Sequence, residues 1–195
     1  MAADRPDLAA LLGSRICHDL IGPLGAIGNG VELLLMDGRV KGPEMDLIAE
    51  SVAHANARIR FFRLAFGAAR ADQHLPLPEI RSILTEMTRG GRLSVDWMVA
   101  GNPMRSEAKA AFLAIQCLES SMPWGGRVSV TRDDLGWQVE GEATRTKADP
   151  ALWSILSREG GMADVAPAAV HFIFLADAAP RLSVDRTDTR LTIRF

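Results

Sequence analysis

Cysteine is scarce: Cys17 and Cys117 are the only two in 195 residues, and neither has a second cysteine nearby. No zinc or redox spacing can be read from them, and two free thiols in a reducing compartment is the expectation. An excess of one charge is also missing, since 22 Lys and Arg face 24 Asp and Glu for a net charge of −2. A general nucleic-acid binder carries a basic excess, so that class is excluded. The opening Met1-Ala2-Ala3-Asp4-Arg5-Pro6 lacks the basic and apolar regions of a secretory signal. No apolar run reaches the roughly 18 residues of a membrane span. The most apolar stretch, Val165 to Pro180, is interrupted by His171 and Asp177. Together these absences set the expectation of a soluble cytoplasmic protein. What is present is an ordinary globular composition, 48% hydrophobic and 24% charged. A chain of this size buries about 70% of its unfolded surface and needs no metal or disulfide to fold.

Hydrophobic spacing organises the first third. Leu8, Leu12, Ile16, Leu20, Leu24, Ile27, Val31 and Leu34 recur in steps of four and three, one stripe of one helix. Asp4, Pro6 and Asp7 suit its start, and Asp37-Gly38 with Gly42-Pro43 suits a turn after it. A second stripe, Met45, Ile48, Val52, Ala55, Ile59, Phe62, Phe66 and Ala69, has the spacing of a bundle seam. The spacing therefore predicts an antiparallel helical hairpin. A lone hairpin cannot cover both its seams, so either the rest of the chain packs on it or two copies pair as a four-helix bundle; the pair is expected, because the downstream sequence reads as a domain with its own core. The stretch Ala71 to Pro78 marks a boundary, dividing residues 1–72 from residues 76–195. Beyond it the pattern predicts helices at Glu79–Thr88, Ser106–Met122, Asp149–Arg158 and Pro167–Ala178. Strands are predicted at Leu93–Val99, Arg127–Arg132, Gly136–Glu142, Leu182–Arg186 and Arg190–Phe195. The order α-β-α-β-β-α-α-β-β implies an α+β layer with helices on one face of a mixed sheet.

One histidine of four stands out. His18 points roughly 200° away from Ile16 and its apolar stripe, at about 100° per residue. Gly22, Gly25 and Asn29 project to the same face. Each mid-helix glycine costs about 1 kcal/mol relative to alanine, and Pro23 removes a backbone hydrogen bond. A helix selected only for stability would not use them. Small residues there clear an approach to the imidazole, which in its neutral form is a good nucleophile. Asp19 is placed to accept a hydrogen bond from one ring nitrogen, orienting the ring and serving acid–base chemistry. A surface histidine beside an acid is the alternative reading of the dipeptide alone.

The run His18-Asp19-Leu20-Ile21-Gly22-Pro23-Leu24 resembles the H-box of sensor histidine kinases. The wider run through Gly25-Ala26-Ile27-Gly28-Asn29-Gly30-Val31-Glu32-Leu33-Leu34 is similar to the ChpT-type histidine phosphotransferases of alphaproteobacteria. That resemblance implies a dimerising hairpin, a four-helix bundle in the dimer, followed by a Bergerat-like α/β sandwich lacking its ATP site. It implies a relay of phosphoryl groups from a phospho-aspartyl receiver domain of a hybrid kinase, through phosphohistidine, to response regulators. His18 would be acceptor and donor, with Asp19 orienting its ring and Arg15, Gly22, Gly25 and Asn29 forming the docking face. The receiver would supply Mg²⁺, so no metal, ATP or other cofactor is expected in this chain, and no nucleic acid or membrane partner.

The second domain departs from a kinase. The helix Ala110-Ala111-Phe112-Leu113-Ala114-Ile115-Gln116-Cys117-Leu118-Glu119-Ser120 has no asparagine pair for Mg²⁺, and no D-x-G-x-G follows the strand Gly136–Glu142. Gly125-Gly126 and Gly160-Gly161 read as turns. His54 reads as solvated, His74 as part of the linker and His171 as a core histidine. Arg58, Arg60, Arg63 and Arg70 form a basic helix end, either solvated or facing an acidic partner. A non-catalytic dimeric adaptor, or a histidine kinase with an aberrant ATP site, are the rival functions.

Overall fold

The computed structural model of the chain describes residues 8–36, 42–70, 72–159 and 165–195. It divides into two compact units. The first holds α1 (Leu8–Met36), α2 (Pro43–Ala65) and the second half of α3 (Leu77–Thr88). The second holds residues 69–81 and 90–195, so the division passes through α3 rather than through the Pro-marked stretch before it. The expected helix start at Asp4, Pro6 and Asp7 and the turn at Asp37-Gly38 lie outside the described residues.

In the first unit α1 and α2 form a hairpin. Pro43 stands in the first turn of α2, with Glu44 and Asp46 beside it and Arg63 in the last turn, each placed as the helix dipole favours. The face of α1 turned inward shares only Leu24 and Val31 with the expected stripe. Along it Ala10, Ser14, Cys17, Ile21, Leu24, Gly28 and Val31 are buried or half-buried at alternating steps of four and three, with Gly13 half-buried beside them. A Cβ on Gly13 would lie 3.4 Å from the Phe66 side chain, and one on Gly28 3.5 Å from Val52. The Ser14 hydroxyl accepts the Ala68 N–H at 3.0 Å. Leu12, Ile16, Leu20, Ile27 and Leu34 remain exposed, from 46% at Leu20 to 60% at Leu12. The correction has a physical reason. Periodicity counts weight large side chains, whereas close helix packing selects small ones.

A second correction concerns hydropathy. The helix from Ala9 to Met36 is long and apolar enough to cross a membrane by length and composition, which the sequence reading assigned to no segment. Its bare leucines and isoleucines account for this. One such helix is weak evidence for a membrane span.

In the second unit a five-stranded mixed sheet has the order β1-β2-β3-β5-β4, from β1 (Leu93–Trp97), β2 (Gly126–Asp133), β3 (Gly136–Glu142), β4 (Ser183–Arg186) and β5 (Arg190–Arg194). Strands β1 and β2 are parallel, joined through α4 (Arg105–Ser121), and the other pairs are antiparallel. Val130 pairs with Val139, and Val139 with Ile193, so one face is a continuous apolar surface of fully buried side chains. The opposite face carries ion pairs such as Arg127–Asp96 at 2.5 Å and Arg190–Glu142 at 2.8 Å. Helix α4 packs on β2 and β3, with α6 (Val170–Ala178) against α4 and α5 (Pro150–Leu156). The α+β class, the mixed sheet and the order of helices and strands along the chain expected from the sequence are therefore present. The turn at Gly125 is real: its φ is +92°, and a side chain there would collide with the Arg92 carbonyl. Gly160-Gly161 lies outside the described residues.

Candidate functional site

His18 sits near the middle of α1, and Pro23 lies inside the same helix. Proline has no N–H to give, so the carbonyl of Asp19, four residues back, loses its usual helical donor. The side chains of Arg15, His18 and Asp19 form one connected chain. Arg15 Nε donates to Asp19 Oδ2 at 2.8 Å, and His18 Nδ1 lies 3.2 Å from Asp19 Oδ1. The hydrogen bond from the His18 ring, with the Arg15 guanidinium adding to it, holds the Asp19 carboxyl below the usual carboxylate range. With a proton on Nδ1 donated to Asp19, Nε2 keeps its lone pair.

Nothing covers this ring, and the His18 side chain is 84% exposed. Among the described residues, a Cβ built on Gly22 or Gly25 would meet no atom within 4 Å beyond the adjoining backbone of its own helix, and Asn29 is exposed. Relative to the seam at Cys17, His18, Gly25, Asn29 and Gly22 lie roughly 80° to 140° to one side, while Ile16, Leu20, Ile27 and Leu34 lie roughly 60° to 100° to the other. Helix α1 thus presents three faces: a seam to α2, a bare apolar stripe and a cleared histidine face.

The remaining candidates have ordinary explanations. Burial pushes the Cys17 thiol up, partly offset by the nearby Arg63, so it is no thiolate nucleophile. His54 is exposed on α2. His74 is exposed and paired in an isolated bridge to Met104, and Leu75 N–H reaches the Pro103 carbonyl at 2.9 Å, so this stretch is tied down rather than a free linker. His171 is 2% exposed, 3.2 Å from the Ser120 hydroxyl, and burial lowers its pKa to about 4. Of the basic helix end, Arg60 binds Glu86 at 2.7 Å and Arg58 stacks on Phe62. The sequence reading missed Glu86, whose distance from Arg60 along the chain leaves no local signal. Among the described residues no group of three His, Cys, Asp or Glu is placed to hold a metal ion.

Residues 77–185 match the family described as the histidine phosphotransferase C-terminal domain. The chain belongs to the ChpT-type histidine phosphotransferases. The protein phosphotransferase ChpT of Brucella abortus (strain 2308) is 34% identical over 182 residues, covering 92% of this chain and 79% of that protein. A solved structure described as a bacterial phosphotransferase aligns with a TM-score of 0.67 at 25% identity, covering 99% of this chain and 97% of that one. The family match falls on the sheet and its helices.

Proposed function

We propose that His18 is the phosphoryl acceptor and donor of this phosphotransferase, relaying the group from the phospho-aspartyl receiver domain of a hybrid kinase to response regulators. One observation carries the reading: an open imidazole whose Nδ1 is engaged by Asp19, on a face where Gly22 and Gly25 leave the space above the helix empty. A receiver docks over Gly22, Gly25 and Asn29. The Nε2 lone pair attacks phosphorus, the N–P bond forms, and the P–O bond to the receiver's aspartate breaks, releasing its carboxylate. Positive charge developing on the ring is stabilised through Nδ1–H by Asp19. The same steps in reverse deliver the group to the aspartate of a downstream regulator.

Positioning and charge neutralisation dominate phosphoryl transfer, and here the receiver brings the Mg²⁺. No nucleotide is invoked. The sandwich has neither an asparagine pair on α4 nor a D-x-G-x-G segment, and Trp153 is fully buried with its Nε1–H on the Ser121 hydroxyl at 3.0 Å. The degenerate Bergerat-like reading of this domain and a cytoplasmic setting belong to the same proposal. So does the dimer, in which a second copy covers Leu12, Ile16, Leu20 and Ile27 to complete a four-helix bundle.

Labelled phosphate from a phosphorylated receiver tests the acceptor. Wild type takes up label, His18→Ala does not, and ATP alone labels neither. Label on His18→Ala overturns the assignment. An unreactive His18 with intact receiver binding identifies an adaptor instead. Gly22 offers no side chain to orient a hydrolytic water, so loss of phosphate to solvent is slow beside transfer.

A further inference from the structure

We infer that Arg15 is a positioning residue within this chain: bound to Asp19, it aims the carboxylate at His18 Nδ1 and so selects the tautomer that leaves Nε2 as nucleophile. The inference rests on His18 being the acceptor, and it gives Arg15 a role other than contact with the docked partner.

The argument begins with helix geometry. Neighbouring residues point about 100° apart, so an aspartate directly after a histidine is not held against its ring by the helix itself. Arg15 lies one turn earlier, about 60° from His18 and about 40° from Asp19, between the two in projection. Its Nε occupies Oδ2 at 2.8 Å, which leaves Oδ1 turned to His18 Nδ1 at 3.2 Å. Each oxygen of one carboxylate thus has one partner, and rotating the group to serve solvent breaks both contacts.

Chemistry supplies the second reason. A free imidazole side chain favours its proton on Nε2, which is the wrong tautomer for attack through that atom. A hydrogen bond from Nδ1–H to a fixed carboxylate reverses the preference. A bare carboxylate beside the ring would also repel the anionic phosphoryl group as it arrives. The Arg15–Asp19 pair has no net charge, so it delivers the hydrogen bond without that repulsion. Arg15 and Asp19 are 73% and 49% exposed in the free protein, where such a pair is weak. A docked receiver excludes water from it, and the interaction strengthens as transfer becomes possible.

The test uses the full chain and a phosphorylated receiver. Arg15→Ala is expected to slow transfer about three- to tenfold at saturating receiver, with KM unchanged. The nitrogen NMR shifts of the His18 ring should move towards the Nε2–H tautomer. Arg15→Lys, which keeps a cation for Asp19, should recover most of the rate and the Nδ1–H signature. In an Asp19→Asn background, Arg15→Ala should cost nothing further, because its effect runs through Asp19. A raised KM with unchanged tautomer and maximal rate would instead make Arg15 a docking cation and overturn the inference. An equal cost in both backgrounds would overturn it too. His18→Ala separates the layers: label on that variant removes the acceptor reading, whereas loss of label there with a silent Arg15→Ala removes only this inference.

Discussion

His18 and His171 carry the same ring in opposite surroundings. The first is open, with a carboxylate at Nδ1; the second is buried in α6, beside a hydroxyl on α4. Asp19→Asn keeps the shape beside His18 but removes the anion that orients the ring. It should cut the rate of label transfer about 10- to 100-fold with an unchanged circular dichroism spectrum; an unaltered rate would dismiss Asp19 from the mechanism. His171 makes a prediction about stability. Burial lowers its pKa from 6.5 to about 4, so between those values the unfolded chain holds the proton more tightly than the folded one. The ring's contribution is constant above the upper value and is lost as pH falls towards the lower. At pH 4.5 the cost should be about 2 kcal/mol relative to pH 7. His171→Leu should flatten that part of the slope, measured by denaturant unfolding at both pH values. Ser120 also donates to the Cys117 carbonyl at 2.9 Å, so its hydroxyl keeps a partner in the variant.

At the scale of the element, α1 trades helix strength for access. Gly22→Ala and Gly25→Ala add Cβ atoms that touch nothing, so each should stabilise the helix by about 1 kcal/mol. The pair should raise the melting temperature yet reduce receiver affinity, visible in thermal scans and titrations of the same samples. A rise in both would mean that the cleared face is not used. This element also marks where sequence reading succeeds and where it fails. The exceptional face of His18, Gly22, Gly25 and Asn29 was legible because glycine and proline are costly within a helix. Apart from Leu24 and Val31 the seam was misread, because Ala10, Gly13, Cys17 and Gly28 are small and stand out less than the leucines and isoleucines, although they allow α1 and α2 to approach.

For the whole molecule, the proposed dimer rests on the bare stripe of Leu12, Ile16, Leu20 and Ile27. Ile16→Glu with Leu20→Glu should convert a sedimenting dimer into a monomer. Wild type sedimenting as a monomer at micromolar concentration would contradict the bundle.

Element order and the α+β class followed from the sequence by itself, because periods of 3.6 and 2 and turn residues at Gly125, Asp133 and Asp188 are local signals. The proposal of His18 among four histidines also rests on local signals, since residues near it in the chain define its face. Tertiary structure alone decided which stripe of α1 meets α2, that Arg60 is held by Glu86, and that Arg15 binds one oxygen of Asp19 and leaves the other to His18. Those outcomes depend on distances between side chains, which the order of residues along the chain does not record.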